Sequence, residues 1–431
     1  MGQMIGRREF VEKAASAAMA PLMLGRDLGM AREGNVYSLS ELPGATFNTI
    51  RIGEKYQVPT FTKEEYERRW RALQQLMEQK DIDCLLIVDT FDLRYVANLF
   101  GGRNEEDYPC IIPRKGAPSL FIPWSELYFY MQDISPVPEI VSASDAVAKA
   151  AKKIRDLGLE KSTIGIDSLG AIPHGSYAIL EKELPEARFV EASEILVECW
   201  QVKSEAEIEC FRKSQEIGEK AFQVMVNTAK PGVTDKEVLG AAFGTIISAG
   251  SDWENRILHN ISHWPETRQA NANYPYYMGV TERKLQAGDI INWEFYTSYA
   301  GYTTDVCLPI SIGKPHPDYV ERYEICKEMI RIAREMLRPG HTKEEIDSKI
   351  SEYCSTKLKP GESASIDFKN FCPVPNRKGS TLQAVQPGMV IAIVPVTTWN
   401  GGPRHICAET FVTTNSEPQR IGNLPLEIVV V

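Results

Sequence analysis

Two acids, Glu294 and Asp305, sit eleven residues apart in the otherwise apolar and aromatic stretch IINWEFYTSYAGYTTDVC, residues 290–307. Strand alternation puts Asn292, Glu294 and Tyr296 on one face of INWEFYT, and Thr303, Asp305 and Cys307 on one face of YTTDVCL. AGY at 300–302 supplies the bend between the two strands. Like charges taken out of water are expensive unless something answers them. A metal ion, a cationic substrate such as an amine or guanidinium, or a shared proton would do so. A matching strand pair lies further on: MVIAIVPV at 389–396 and ICAETFV at 406–412, with Cys407, Glu409 and Phe411 on one face.

A chain must be large enough to hold such acids in a core. This one has 431 residues, enough for two domains. Its net charge of −10 speaks against nucleic acid as a partner. No apolar run is long enough to form a structural membrane span. Nine cysteines are scattered without CxxC spacing, which argues against a disulfide framework or a zinc ribbon. Residues 1–35 read as a twin-arginine export signal: Arg7, Arg8, Phe10 and Lys13 precede an Ala-rich apolar stretch at 14–24. The alternative is an amphipathic helix on a cytoplasmic protein.

Residues 36–58 carry turn formers without periodicity and read as an extension. From there helical and strand patterns alternate to about residue 197, as in an α/β layer domain. Thr62 with Glu65, and Ser204 with Glu207, stand at the spacing of helix capping boxes. The rest of the chain contains a repeat. KPGVTDKEV at 230–238 and RPGHTKEEI at 338–346 each break one helix with Pro-Gly and cap the next with Thr and Glu. A duplicated unit with a pseudo-twofold axis would bring strands from both halves to one site.

The segments KLQAGDIINWEFYTSYAGYTTDV, LQAVQPGMVIAIVPV and GGPRHICAETFVTT resemble the pita-bread family, which includes methionine aminopeptidase, aminopeptidase P, prolidase and creatinase. QVKSEAEIECFRKS is similar to that family's interdomain helix, and DTFDLRYVANLFGG to a segment of its N-terminal domain. The resemblance spans about residues 58–425. It implies two domains: a creatinase-type α/β domain at 59–197 and an α+β pita-bread domain at 198–431 with an internal pseudo-twofold. It also implies a homodimer, with Arg94, Tyr95 and the LFGGRN loop as the groups that reach across.

The family's metallopeptidases hold a two-metal centre with two aspartates, a histidine and two glutamates. By resemblance the aspartates fall on Glu294 and Asp305. The histidine has no counterpart between His341 and His405. One glutamate falls on Val394, and the other on Cys407 or Ala408, with Glu409 the nearest acid. A further family histidine, a proton carrier, falls on Tyr277. The expectation is therefore a site without a tightly bound metal; a single weakly held divalent ion on Glu294, Asp305 and Glu409 is the alternative. Creatinase, a metal-free member that cleaves a C–N bond, is the better comparison.

Other groups stand where the family borders its pocket. His259 and His263, four apart in the segment 256–279, are candidate general acids or bases and would share a face if helical. Tyr276 and Tyr277 are candidate donors to an oxyanion. Arg404 would clamp a substrate carboxylate, and His405 is a lip residue or a base. Cys407, on the expected inward face, is a core thiol or a nucleophile. Asn292, Tyr296 and Glu409 complete the substrate-binding candidates. The expected function is C–N bond hydrolysis of a small polar or amino-acid-derived substrate. Alternatives are a metal-dependent Xaa-Pro peptidase, a lyase, and a non-catalytic small-molecule binder.

Overall fold

The fold is described from a computed structural model, for residues 61–99, 108–170, 172–252, 256–263, 284–370, 382, 384–399 and 405–431. Helix α1 (Lys63–Gln79) starts at Thr62, whose side chain accepts from the Glu65 amide. Its apolar stripe of Tyr66, Trp70, Leu73 and Met77 is buried. There follow β1 (Cys84–Ile87), α2 (Thr90–Ala97), β2 (Cys110–Pro113), β3 (Ser119–Ile122), α3 (Ser125–Ile134), β4 (Glu139–Ser142), α4 (Ala146–Asp156), β5 (Thr163–Ile166), α5 (His174–Glu183), β6 (Arg188–Glu191) and α6 (Ser193–Gln201). Their strands form one mixed sheet in the order β4-β3-β2-β1-β5-β6. Leu85 and Ile87 enter a core with α1, while Cys84 and Leu86 enter a second core with α4. Helices thus cover both faces, which is why β1 is apolar throughout.

The second half opens with α7 (Glu205–Thr228), capped by Ser204 and Glu207, then α8 (Asp235–Ser248), capped by Thr234 and Glu237. Strands β7 (Arg256–His263), β8 (Asp289–Tyr299) and β9 (Tyr302–Ser311) follow. The pattern returns as α9 (Pro317–Met336), α10 (Lys343–Lys357) capped by Thr342 and Glu345, β10 (Glu362–Asn370), β11 (Val390–Trp399), β12 (His405–Ile406) and β13 (Glu409–Val412). Strands β14 (Gln419–Arg420) and β15 (Val429–Val430) complete the chain. The two halves correspond in detail: the capping residues Thr234 and Thr342 each form a β-bridge, to Lys284 and Ala384 respectively, just ahead of β8 and β11. One sheet runs β15-β9-β8-β7; the other runs β10-β11-β13-β14, with β12 also on β11.

Tyr296 and Cys307 of the first sheet share a core with Ala392, Val394 and Val396 of the second. Outer faces pack under helices: Ile291, Val306 and Ile310 with α7 and α8, and Ile391, Ile393 and Phe411 with α9 and α10. Helix α7 lies close on its sheet. A Cβ at Gly218 would meet Val306 at 2.7 Å, so only glycine fits. Among the described residues no helix is long and apolar enough to cross a membrane.

Tyr299 pairs with Tyr302 across the two-residue turn Ala300-Gly301. Both turn residues have positive φ, 53° and 87°, as a tight hairpin turn with the sheet's own twist requires. The Gly301 amide donates to Asp252, which also pairs with Arg94 at 2.7 Å. Arg94 is therefore engaged inside its own chain. Tyr95 is buried with its hydroxyl 3.5 Å from the Cys199 sulfur. The expectation that these two side chains reach into a partner is corrected on both counts.

Arg69 ties the two halves of the chain together. Its guanidinium donates to Glu65 at 3.0 Å, to the Tyr95 carbonyl at 2.9 Å and to the Tyr302 hydroxyl at 3.0 Å. Tyr302 in turn donates to Glu207 at 2.8 Å. Arg69 and Glu207 are each only 1% exposed, so neither charge has water to fall back on. Arg69→Met is expected to lower the unfolding free energy by about 2–4 kcal/mol, because the buried Glu207 keeps only the part-exposed Arg68, at 3.3 Å, as an ion partner and the Tyr95 carbonyl loses its donor. Urea melts of both proteins measure this; a difference below about 1 kcal/mol would mean that water reaches Glu207.

Candidate functional site

The register of β8 on β9 sets Glu294 opposite Cys307 and Tyr296 opposite Asp305. Alternation then gathers Glu294, Tyr296 and Asp305 on the face turned toward the second sheet. From that sheet β10 delivers Lys369. Its Nζ lies 2.7 Å from Glu294 Oε1, 2.5 Å from the Tyr296 hydroxyl and 3.1 Å from Asp305 Oδ2. Tyr296 donates to the same Glu294 oxygen at 2.5 Å. The three N–H bonds of the ammonium are thereby all engaged. Glu294 is 6% exposed and Asp305 1%. Beside them, Asn292 accepts from Tyr319 of α9 at 2.6 Å, which fixes β8 against that helix.

The charges divide unequally. Burial and the adjacent Glu294 charge push the Asp305 carboxyl well above the usual carboxylate range. Burial works against the Glu294 charge too, but the Lys369 ammonium together with hydrogen bonds from Asp305, Lys369 and Tyr296 outweighs it and holds Glu294 below its ordinary value. Burial likewise opposes the Lys369 charge, and the carboxyls overcome it, so the lysine stays protonated. The ammonium thus favours the ionised form of Glu294, and the proton is held more firmly at Asp305. Asp305 Oδ1 is buried without a hydrogen-bond partner. The acids do not wait for a cationic ligand, as the sequence led us to expect, because an ammonium of the chain itself answers them.

Glu409 lies apart from this cluster. It pairs with Arg420 at 2.6 Å and borders a small cavity with Gln215, Glu219 and Thr410. Burial, only partly offset by Arg420, raises its pKa. Cys407 is also elsewhere. Its thiol meets Cys326 of α9 in the core beneath that helix, and burial pushes its pKa well up. The face shared by Cys407, Glu409 and Phe411 is thus the helix-covered one, not the inward one. The residues on the inward face of β11 are Ala392, Val394 and Val396, all apolar. Among the described residues no three His, Cys, Asp or Glu side chains gather as a metal-binding group.

The backbone of 256–263 is a strand rather than a helix, with His259 opposite Trp293 and His263 opposite Asp289. The side chains of His259, His263 and His405 lie outside the described residues, as do Tyr276, Tyr277 and Arg404 altogether. Lys369 is the group that sequence reasoning missed. The resemblance points to an imidazole ahead of the QPGM turn, and a lone lysine in ESASIDFKN looks like any solvated strand residue. Its one signal was the unanswered pair of acids.

Asp305 gives the cluster a pH signature. Its folded pKa is raised, so its contribution is complete below about pH 4, where the unfolded chain also holds the proton, and is lost as pH rises toward the folded value. Glu294 has the opposite sign: its contribution is present above about pH 4 and lost as pH falls. Asp305→Asn, which mimics the protonated acid, is expected to fold and to lose stability less steeply than wild type between about pH 5 and pH 8. Urea melts across that range compare the slopes; parallel curves would mean that Asp305 holds no proton.

The chain matches two family models: metallopeptidase family M24 over residues 209–415, and the creatinase/prolidase N-terminal domain over residues 69–200. It is 25% identical over 291 residues to an Xaa-Pro dipeptidase of Pyrococcus horikoshii, covering 64% of this chain and 72% of that protein. It is 24% identical over 387 residues to the probable dipeptidase PepE of Mycobacterium tuberculosis, covering 86% and 98%. Among solved structures, an Xaa-Pro dipeptidase from Bacillus anthracis superposes with a TM-score of 0.72 at 18% identity, covering 85% of this chain and 100% of that one. The X-Pro aminopeptidase from Thermotoga maritima gives 0.71 at 19% identity, covering 84% and 99%. These structural likenesses establish the two-domain fold.

Proposed function

The chain belongs to the creatinase/prolidase family of pita-bread proteins, and from that premise we propose that it hydrolyses C–N bonds in small polar or amino-acid-derived substrates at a site that works without a two-metal centre. Hydrolysis is supported by the peptidase and dipeptidase relatives. The single observation that carries the finer reading is the Lys369 ammonium between Glu294 and Asp305. A divalent ion at those oxygens would stand against a fixed positive charge in a poorly screened site. The remaining donors do not make up the difference. Val394 has no lone pair to offer, and Glu409 is occupied by Arg420. The described residues do not supply the donors of a two-metal centre.

They do fit proton chemistry. Asp305, whose carboxyl burial and the Glu294 charge push well above the usual carboxylate range, is the group suited to pass a proton to a leaving nitrogen. Glu294 keeps a negative charge beside it. The base that takes a proton from water comes, on this reading, from His259, His263 or His405. Arg404 clamps a substrate carboxylate.

Protein purified without chelators is expected to carry less than one equivalent of Zn, Mn, Co or Fe, and to keep its turnover of a dipeptide and amide panel in EDTA. Glu294→Gln is expected to fold but to melt below wild type, because the buried Lys369 loses its nearest carboxylate, and to lose kcat/KM by an amount corresponding to roughly 2–4 kcal/mol. Elemental analysis and the assay decide. Two equivalents of metal, with activity lost to EDTA, would establish a metal-dependent peptidase instead.

A further inference from the structure

We propose that Lys369 is the resident cation of this site, shutting out divalent ions and ligand ammonium groups alike, so that the substrates accepted are those with no free ammonium beside the scissile amide. The substrate half of this rests on the hydrolase reading; the cation half does not.

Position argues for it first. Lys369 is not on a loose loop. Strand β10 pairs with β11 along its whole length, from Glu362 opposite Trp399 to Asn370 opposite Ile391, and Lys369 itself stands opposite Ala392. The preceding residue, Phe368, is 1% exposed and anchors the strand from its other face. The ammonium therefore arrives at a fixed place. It is held there by Glu294, Asp305 and Tyr296, and its charge also lies 5.0 Å from the centre of the Tyr296 ring.

Charge argues for it second. A cation attracted to this face would find the Glu294 charge already compensated. It would meet the lysine at close range, where little water screens the repulsion. Nor does Lys369 have a spare N–H with which to recognise a ligand, because its three are directed at three oxygens of the chain. A neutral or N-blocked group meets no such repulsion. The carboxylates are competent cation ligands whose place is taken, which makes the exclusion reversible by substitution.

The test uses the full chain, stripped with EDTA and desalted, as wild type, Lys369→Ala and Lys369→Gln. Each is titrated calorimetrically with MnCl2, and each is melted with and without Mn2+. Wild type is expected to give no specific heat up to millimolar Mn2+. Lys369→Ala is expected to bind Mn2+ at Glu294 and Asp305 on the order of a hundredfold more tightly than wild type, and to melt higher with the ion. Lys369→Gln keeps the volume and two N–H donors, and serves if the alanine variant does not fold. Tight Mn2+ binding by wild type that disappears in Glu294→Gln would overturn the proposal. So would a folded variant without Lys369 that gains no Mn2+ affinity. For the substrate half, wild type is assayed on Ala-Pro and on N-acetyl-Ala-Pro. Preference for the acetylated peptide is expected, and preference for the free amine would overturn the exclusion. Turnover of neither peptide counts against the hydrolase reading, and the Mn2+ titration still decides the role of Lys369.

Discussion

The contact of Lys369 with Glu294 and Asp305 joins the two halves of the C-terminal domain at their centre. Two acids come from the first sheet and one ammonium from the second. None of the three could be buried alone. Removing one member of a buried pair is far more damaging than replacing the pair outright, because the survivor keeps its desolvation penalty. The geometry around the cluster must therefore be held closely. It is held by register. A slip of β8 by one residue would carry Glu294 to the helix-covered face.

The scaffold that prevents such a slip lies around the cluster. Asn292, two residues before Glu294, is bonded to Tyr319 of α9. The hairpin turn at Ala300-Gly301 fixes β8 against β9, and Asp252 and Arg94 clasp it from outside. Ser214 of α7 donates to the Thr297 carbonyl and sits against Thr304, where the close approach allowed by Gly218 brings the helix down on both strands. Each link is worth only about 0.5–1.5 kcal/mol. Together they leave the two carboxyls and the ammonium nowhere else to go. Replacing a buried ion cluster of this kind by an apolar filling of equal volume is often neutral or stabilising, so the cluster is weak evidence of stability.

Much of this was visible in the residues. The Thr-Glu and Ser-Glu spacings located four helix starts, because a cap is a local matter of one side chain and the nearby backbone amides. The Pro-Gly-x-Thr repeat located the two halves. Period-two alternation brought Glu294, Tyr296 and Asp305 to one face. What stayed hidden depended on contacts distant in sequence. Lys369 is 64 residues from Asp305 and meets it only because two sheets face each other. Cys407 and Glu409 shared a face as expected, but alternation cannot say which face a sheet turns inward. That is settled by the apolar bulk of Ile391, Ile393 and Phe411 under α9 and α10. Arg94 and Tyr95 looked available because a family resemblance carries no information on burial within one chain.

An ammonium and a metal ion answer buried carboxylates in different ways. A bound ion is exchangeable, accepts further ligands and polarises what it touches. A lysine is part of the chain, is always present, and directs at most three bonds. At this site those bonds are spent within the cluster, so Lys369 sets the potential without offering a coordination position. It is the same fixed charge that lowers the Glu294 pKa, and the Glu294 charge is in turn one reason why the Asp305 carboxyl is raised. Asp305 Oδ1 is the oxygen of that acid that the lysine does not engage. Lys369, Glu294 and Tyr296 are thus the groups that bear on how firmly the Asp305 carboxyl holds a proton.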